Sequence, residues 1–290
     1  PSFDKAIPGT IEYKEDNTIS SFHKKNEHAK DTVRKQVEMS LSDTFYPDKP
    51  IVPFIKVTQD RVVLEIQRGC IRGCRFCQAG MVYRPIRERD FQFLKDYATK
   101  MLKATGHEEI SLSSLSSSDY SALQDLVYFL IDEFRSKGVN ISLPSLRIDA
   151  FALDVMSKVQ DVKKSSLTFA PEAGSQRLRD VINKGLSEES ILNGAMDAFQ
   201  SGWNRVKLYF MLGLPTETVE DIEGIAVLSD KIAREYYTIP KEKRNGKVSI
   251  VASTSFFVPK PFTPFQWASM DTAEEYLAKQ RVLRAKFNEQ

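Results

Sequence analysis

Three cysteines, Cys70, Cys74 and Cys77, lie within the short sequence RGCIRGCRFCQAG, and the 290-residue chain contains no other cysteine. Thiolates are preferred ligands of zinc and of iron–sulfur clusters, so this spacing predicts a soft metal centre. A disulfide scaffold is a poor explanation, because an odd number of thiols always leaves one unpaired. We therefore expect the three side chains to act together on one metal centre.

The number of thiols separates two kinds of metal centre. A structural zinc ion needs four protein ligands, and the fourth could come only from the three histidines, His23, His28 and His107. An iron–sulfur cube with four irons normally takes four thiolates, so three leave one iron open to another ligand. The sequence favours the open cube and keeps a zinc or structural iron–sulfur module as the alternative.

Composition describes an ordinary globular protein. The 41 basic residues nearly balance the 39 acidic ones, and a net charge of +2 gives no electrostatic signature of a nucleic-acid binder. That balance does not exclude an RNA substrate. No apolar run approaches the roughly 20 residues of a membrane span, and no signal peptide opens the sequence, so we expect a cytoplasmic protein without membrane association. The first residue is Pro1, which suggests a piece of a longer protein.

The cysteines require a scaffold, and the sequence pattern predicts one. Residues 1–50 are polar and are predicted to be a lead-in segment, whereas 51–290 form the core domain. Apolar periodicity in that core alternates between strand and helix six times. The predicted strands are RVVLEIQ, EEISLSS, VNISLPSLR, SSLTFAP, RVKLYFMLGLP and KVSIVASTSFFVP. The predicted helices are 89–106, DYSALQDLVYFLIDEFRSKG, DAFALDVMSKVQ, a pair over about 174–202, one over about 217–236, and one from about 271.

This alternation predicts the α/β class with parallel strands joined by right-handed crossovers. Six units are too few for a closed eightfold barrel, so we expect a (βα)6 partial TIM barrel, with a doubly wound sheet as the alternative. The cysteines directly follow the first strand, at the carboxyl end where such folds keep their functional sites. The segment VPKPFTPFQW, over 258–267, follows the sixth strand and is predicted to be extended, because its prolines exclude helix and strand.

The C-x3-C-x2-C spacing, with Phe76 just before the last cysteine, resembles the signature of the radical S-adenosylmethionine (radical SAM) superfamily. The resemblance is strongest with its cobalamin-associated and methylthiotransferase-like branch. It implies that Cys70, Cys74 and Cys77 hold a [4Fe-4S] cluster whose open iron binds S-adenosylmethionine, with Phe76 beside the adenine. It further implies an enzyme that cleaves this cofactor reductively to a 5′-deoxyadenosyl radical for hydrogen abstraction. Cobalamin would be used only through a domain that lies outside this chain.

The same resemblance implies cofactor contacts at the ends of the other strands. After the second strand relatives carry a Gly-Gly-Glu-like motif that contacts the amino group of S-adenosylmethionine; this chain has SLSSLSSSDY instead, where Ser114 and Ser116 could replace those contacts. In the third connection Ser145 and Arg147 offer a hydroxyl group and a cation for its carboxylate. Surface pairing explains Arg147 equally well, and Ser118 or Asp119 could simply cap the helix that follows.

Two more segments complete the implied set. Glu172 and Ser175 stand in APEAGSQR after the fourth strand, where relatives contact the ribose or methionine end of the cofactor. Both could instead be ordinary residues of a helix N-terminus. Gly213 and Leu214 follow the fifth strand and would flank the adenine through their backbone.

The reaction implied is methyl or methylthio transfer, or a related rearrangement, on an unidentified small molecule, RNA or protein. The resemblance also implies an electron donor such as a flavodoxin or a ferredoxin. The sequence assigns no catalytic side chain.

Overall fold

The computed structural model describes residues 9–16, 18–29, 34–142 and 167–289. The chain divides into two compact units after Met39. The first unit contains an antiparallel hairpin of strands β1 (Gly9–Tyr13) and β2 (Ile19–Lys24). The second unit begins at Ser40 and therefore includes the last residues of the segment that the sequence assigned to a lead-in. The division into a lead-in and a core domain stays a prediction.

The second unit alternates strands and helices. Its strands are β3 (Val62–Glu65), β4 (Gln67–Arg68), β5 (Arg87–Glu88), β6 (Glu109–Ser113), β7 (Asn140–Ser142), β8 (Leu167–Glu172), β9 (Arg205–Leu212) and β10 (Ser249–Phe256). Its α-helices are α1 (Gln78–Val82), α2 (Phe91–Thr105), α3 (Leu123–Phe134), α4 (Gln176–Val181), α5 (Glu188–Gln200), α6 (Val219–Thr238) and α7 (Ala273–Glu289). In the part of the chain that the structure describes, no helix is both long and apolar enough to span a bilayer.

Six of these strands form two parallel sheets. The first sheet has the order β3-β6-β7 and the second the order β10-β9-β8, and every pairing within each sheet is parallel. Consecutive strands are therefore neighbours, as expected when a helix crosses over between them. The predicted α/β partial barrel is confirmed, and the described residues form no closed barrel. The predicted helix DAFALDVMSKVQ and most of the third connection lie in 143–166, outside the described residues.

Each sheet has its own apolar core. Val62, Leu64, Ile110 and Leu112 of the first sheet are buried against helices α2 and α3. In the second sheet β9 alternates, so that its buried side chains pack against α5 and α6; they are Val206, Leu208, Phe210 and Leu212. Burying one such side chain is worth about 1.5–3 kcal/mol, so these cores fix where the strand ends lie.

Helix boundaries follow the local signals in the sequence. Helix α2 begins after Asp90, whose carboxylate accepts a hydrogen bond from the Phe93 amide at 2.9 Å. It ends at Gly106, which has a φ of 70° and closes the last turn through its amide to Leu102 O. Both ends agree with the predicted helix over 89–106. After β10, residues 258–267 contain neither helix nor strand, as their prolines predicted, but the predicted extended conformation is wrong for 261–267, which form turns closed in part by the Gln266 amide donating to Thr263 O at 3.0 Å.

Candidate functional site

The three cysteines lie on a loop that leaves the first sheet at the carboxyl end of β3. The base of this loop is closed by strands β4 and β5, which pair antiparallel. Gln67 pairs with Glu88, and Arg68 pairs with Arg87. We call residues 69–86 the cysteine loop. Its first residue is Gly69, with a φ of +83°, where an added Cβ would lie 2.7 Å from the Pro85 carbonyl oxygen. Only glycine fits both this left-handed conformation and this close approach.

None of the three cysteines forms a disulfide, and all three are half-buried and line the same cavity, whose volume is about 260 Å³. Two backbone amides support the sulfurs: the Arg72 N–H donates to Cys70 Sγ at 3.4 Å, and the Gly80 N–H donates to Cys77 Sγ at 3.3 Å. The second contact makes Cys77 the cap of helix α1. The local fold therefore turns the sulfurs inward and gives two of them hydrogen bonds suited to a thiolate.

This donor set fits an iron–sulfur cluster. Among the residues that the structure describes, no three His, Cys, Asp or Glu side chains converge closely enough to hold a single metal ion. Amide hydrogen bonds to cysteine sulfurs are a normal feature of iron–sulfur sites, where they tune the cluster's potential. Three thiols that line one cavity, two of them with amide hydrogen bonds, therefore fit such a cluster.

Other cavity residues come from the end of β8 and from the segment after α4. Glu172, at the end of β8, has a φ of 69°, and the register of β8 against β9 shifts between Phe169 and Glu172. Lys184 Nζ lies 3.1 Å from Glu172 Oε1 and 6.0 Å from the ring centroid of Phe76. Phe76, Glu172 and Lys184 all line the cavity. A cation, a carboxylate and an aromatic face thus meet beside the thiols.

The serine-rich segment after β6 supplies another wall. Ser116 lines the cavity and is buried, and its hydroxyl donates to Asp119 Oδ2 at 2.7 Å. Asp119 also accepts from Arg72, whose Nε lies 3.0 Å from Oδ2 and whose Nη2 contacts Oδ1. Ser114 is not among the residues that line the cavity, and its hydroxyl accepts a hydrogen bond from the Ser116 amide at 3.2 Å. Helix α3 begins after Ala122, so neither Ser118 nor Asp119 caps it.

The remaining predicted contact residues either are not among those that line the cavity or lie outside the described residues. Ser175 caps helix α4, accepting from the Leu178 amide at 3.1 Å and donating to Asp221. Its cofactor role stays a prediction, as do the roles of Gly213 and Leu214. None of these three residues is among those that line the cavity. Ser145 and Arg147 lie in 143–166, outside the described residues.

The segment around Gly213 is firmly held. The Gly213 amide donates to Glu217 Oε2 at 2.9 Å, and Lys279 of helix α7 lies 2.9 Å from the same oxygen. Glu217 is almost fully buried, and burial raises its pKa although the Gly213 amide and Lys279 oppose that shift. Leu214 packs in a small core against which Phe76 rests. Phe76 thereby links the cysteine loop, which follows β3, to the segment that follows β9.

The cysteine loop is also anchored to helix α4. The Arg75 amide donates to Ile182 O at 2.9 Å, and Asn183 Nδ2 donates to Gly73 O at 2.9 Å. Within α4 the fully buried Arg179 donates to the Ala173 carbonyl at 3.0 Å and to the Gly174 carbonyl at 3.1 Å. Burial lowers the pKa of Arg179. These bonds fix the turn that presents Glu172.

Sequence reasoning missed Arg72 and Lys184 as cavity residues. Arg72 stands between two cysteines, and Lys184 follows helix α4 in the segment NKG. A single-residue signal for either is weak, because surface cations are common in such positions. Only the fold shows that one reaches Asp119 and the other Glu172.

The histidines considered for zinc have other surroundings. His107 precedes β6, at the end of the sheet opposite to the cysteines, and its Nδ1 lies 3.5 Å from Asp60 Oδ1. In the first unit His23 Nε2 lies 3.2 Å from Glu12 Oε2 and 2.9 Å from the Ser21 hydroxyl. The geometry does not favour the zinc alternative.

Comparison with known proteins gives concordant matches. The profile of the Radical SAM superfamily matches residues 64–228. An uncharacterised protein of Methanocaldococcus jannaschii is 36% identical over 250 residues, 83% of this chain and 52% of that protein. The threonylcarbamoyladenosine tRNA methylthiotransferase MtaB of Aquifex aeolicus is 22% identical over 187 residues, 62% of this chain and 45% of that protein. The chain thus spans about half the length of these curated relatives.

A solved structure supports the same fold. The cobalamin-dependent S-adenosylmethionine radical enzyme OxsB superposes with a TM-score of 0.55 at 13% identity, over 93% of this chain and 41% of OxsB. At that identity the likeness concerns the fold alone.

Proposed function

The chain belongs to the radical SAM superfamily, and we propose that it holds a [4Fe-4S] cluster on Cys70, Cys74 and Cys77 and cleaves S-adenosylmethionine reductively. The observation that carries this proposal is the convergence of all three thiols on one cavity with Phe76, Glu172 and Lys184. The first four of these side chains come from the loop after strand β3, and the other two come from the end of β8 and the segment after α4. Both halves of the fold therefore contribute to one site.

When bound, the cluster supplies the electron that splits a carbon–sulfur bond of the sulfonium, giving methionine and a 5′-deoxyadenosyl radical. The chain's own residues bind and orient S-adenosylmethionine and exclude water. Lys184 presents a cation for a carboxylate, and its contact with Glu172 fixes the ammonium in place. Phe76 offers an aromatic face to the adenine ring of the cofactor. Ser116 presents a hydroxyl group that can accept a hydrogen bond from an ammonium group.

Apolar side chains also line the cavity, and the buried ones shield it from water. They include Leu115, Phe169, Pro171, Leu186 and Ile191. A short-lived organic radical needs such shielding, because water and stray hydrogen donors would consume it. The site thus combines polar anchors with an apolar lining.

Methyl or methylthio transfer, or a related rearrangement, is the reaction that we propose. The methylthiotransferase named above supports this class by its similarity to the chain. Cobalamin would act only through a part of the protein outside these residues. The proposal also includes a cytoplasmic location, an external electron donor such as a flavodoxin or ferredoxin, and a substrate that is a small molecule, an RNA or a protein.

Anaerobic reconstitution with iron and sulfide tests the proposal. The reconstituted chain, mixed with dithionite and S-adenosylmethionine, should form 5′-deoxyadenosine and methionine, measured by liquid chromatography and mass spectrometry. Single Cys→Ser variants at 70, 74 and 77 should each lose the cluster's absorbance and the product. The matched control, His107→Ala, changes a potential metal ligand at the opposite end of the sheet and should retain both.

Two outcomes would contradict the proposal. One is zinc bound at one atom per chain in protein that excludes iron. The other is a full complement of iron and sulfide with S-adenosylmethionine left intact after reduction. The first outcome would support the zinc module, and the second a structural cluster.

A further inference from the structure

Strand β9 has two faces of different character. One face packs against helices α5 and α6, as described above. The other face is turned away from these helices, and we call it the inner face. It carries Lys207, Tyr209 and Met211, and Tyr209 is 40% exposed. Strands of parallel sheets are usually apolar on both faces, because both are normally covered. A lysine on the inner face of this partial barrel therefore needs an explanation.

The strands on either side of β9 continue the inner face. Residues that are paired in a parallel sheet point to the same side of it. Val251 of β10 pairs with Lys207 and is 50% exposed. Thr168 of β8 also pairs with Lys207 and is exposed. The inner face of the second sheet is thus accessible around Lys207 on three neighbouring strands.

The ammonium group of Lys207 rests on an aromatic ring. Its Nζ lies 4.7 Å from the centroid of the Tyr209 ring. Among the residues that the structure describes, Lys207 makes no ion pair and no hydrogen bond. A cation–π contact orients an ammonium group without cancelling its charge. The ring therefore holds the Lys207 ammonium in place while its charge stays available to an anion.

The inner face reaches the cavity that the cysteines line. Ala170 lies two residues after Thr168 on the same face of β8, and it is one of the cavity residues. Because Thr168 pairs with Lys207, the lysine lies about two residues, or roughly 7 Å along the strand, from the level of Ala170 toward the amino end. In the other direction Met211 and Phe76 pack against the same small core. A molecule that extends from the cavity along this face would meet the Lys207 ammonium.

We propose that the inner face of the second sheet binds the substrate, and that the substrate is a small organic acid whose carboxylate or phosphate group pairs with Lys207. The inference rests on the proposed function, which needs a substrate atom in the cavity beside the thiols. Tyr209 and Val251 give the apolar body of such a molecule a surface to contact. Charge-assisted hydrogen bonds are roughly twice as strong as neutral ones, so the anionic group should dominate recognition.

The position of Lys207 favours a slender molecule. Lys207 is the third of the eight residues of β9, and the thiols belong to a loop at the carboxyl ends of the strands. A ligand must therefore enter past the strand ends to reach the ammonium group. A small acid can do so more easily than a folded nucleic acid or protein.

Binding of simple probes tests this charge preference. The probes are phenylbutyrate, phenylpropyl phosphate and the neutral amide phenylbutanamide, titrated into the reconstituted protein and followed by ligand-observed NMR. S-adenosylmethionine is present without reductant, so that the probes do not occupy the place of the cofactor. At least one of the two anions should bind at least about tenfold more tightly than the amide. The tighter of the two identifies the anionic group as a carboxylate or a phosphate.

Substitution of the lysine tests its role. Lys207→Met should bring the three probes within about twofold of one another, whereas Lys207→Arg should retain the preference for the anion. The matched control is Lys100→Met, because Lys100 Nζ also lies over a tyrosine ring, 5.1 Å from the Tyr97 centroid, but on helix α2. This control should keep the full preference. The comparison of probes on the unmodified protein needs no variant, so the inference stays testable even if Lys207→Met misfolds.

Methionine methyl groups report where the probes bind. The chain has seven methionines, and isotope-labelled methyl groups give their NMR signals. The Met211 signal, identified by its loss in Met211→Leu, should shift when the anion binds. Met101 is buried in the core of the first sheet and should not respond. A shift at Met101 without one at Met211 would place the probes elsewhere and contradict the inference.

Three further results would overturn the inference: equal binding of the anions and the amide to the unmodified protein, an unchanged preference in Lys207→Met, or binding of a single-stranded RNA that depends on Lys207 while the small anions show no preference. The last result would assign Lys207 to a nucleic acid. Failure of the proposed function would look different, because dithionite would then produce no 5′-deoxyadenosine in any protein, whatever the affinity for the probes.

Discussion

At the scale of single residues, Asp119 connects two walls of the cavity. It is nearly buried, receives both Nε and Nη2 of Arg72, and accepts the hydroxyl of Ser116. A carboxylate that accepts several charge-assisted bonds holds its donors in one geometry. Because the Arg72 amide also supports Cys70, the position of this proposed cluster ligand depends on a residue after β6.

We expect Asp119→Asn to destabilise the protein by about 1–3 kcal/mol, because an amide cannot accept both arms of the Arg72 fork. Urea unfolding monitored by circular dichroism measures this loss. The reconstituted variant should also hold less iron per chain. Asp125→Asn removes the same charge from an exposed position in the first turn of α3 and should change stability by less than about 0.5 kcal/mol. Equal effects of the two changes would refute the connecting role.

Asp221 makes a second residue-scale case. Burial raises its pKa, but hydrogen bonds from Arg177, Ser175 and Thr218 outweigh that effect and bring the net pKa below its usual value. A carboxyl whose pKa is lower in the folded protein adds stability above its unfolded pKa, near 3.9, and loses that contribution as pH falls through the folded value. The carboxylate therefore stabilises the packing of α4 against α6 at neutral pH.

We expect Asp221→Asn to cost about 1.5–3 kcal/mol at pH 7, with a difference from the unmodified protein that shrinks as pH falls below about 4. Urea unfolding between pH 3 and 7 gives the two curves. Asp230→Asn on the same helix breaks only a surface pair with Arg234 and should cost less than about 0.5 kcal/mol. A deficit that stays constant down to pH 3 would mean that packing, and not charge, accounts for the effect.

At the scale of elements, the base of the cysteine loop limits what the loop can tolerate. Gly69 has a positive φ, and a Cβ there would lie 2.7 Å from Pro85 O and 2.8 Å from Tyr83 O. Gly106 has a similar φ of +70°, yet nothing lies within 4 Å of its added Cβ. The two glycines thus separate backbone conformation from close packing.

Gly106→Ala should cost about 1 kcal/mol, the usual penalty of a left-handed conformation. Gly69→Ala should cost clearly more, because backbone carbonyls must also move and the pairing of β4 with β5 must shift. Urea unfolding gives both values, and iron content after reconstitution should fall only for Gly69→Ala. Similar losses in the two variants would show that the close approach of the Pro85 carbonyl is unimportant.

The elements also show what sequence alone can predict. Helix α2 and strand β9 were predictable because their apolar periods and end signals are local. Cys70, Cys74 and Cys77 were identifiable because their spacing is itself the signal. The Arg72–Asp119 contact joins residues far apart in sequence, and the Glu172–Lys184 pair depends on how the chain turns after β8. Such contacts follow from packing, which the local pattern does not encode.

At the scale of the whole molecule, the site depends on both sheets. The thiols come from the loop after β3, whereas Glu172 is the last residue of β8. The hydrogen bonds of Arg75 and Asn183 join the cysteine loop to the end of α4. Each sheet has a separate core, so either could in principle hold its own strands. The cavity, in contrast, exists only where the ends of the two sheets meet.

The extent of the folded core is a further property of the whole molecule. Leu41 is fully buried, and its carbonyl accepts a hydrogen bond from Arg89. The Arg89 guanidinium carbon lies 4.4 Å from the ring centroid of Tyr46, and Glu65 Oε2 lies 2.9 Å from Arg89 Nη2. A buried cation thus has partners on both sides of residue 50, where the sequence placed the domain boundary.

We expect a chain that starts at Ser40 to unfold cooperatively with nearly the stability of the full chain, because it keeps Leu41 and Tyr46. A chain that starts at Ile51 should lose about 3–5 kcal/mol, since Arg89 would remain buried with part of its shell removed. Urea unfolding monitored by circular dichroism compares the two. Arg89→Met should reduce the difference between the two chains, because without the cation the removed partners matter less. If both truncated chains were equally stable, the boundary near residue 50 would be correct and the role of Arg89 in holding residues 41–46 would be refuted.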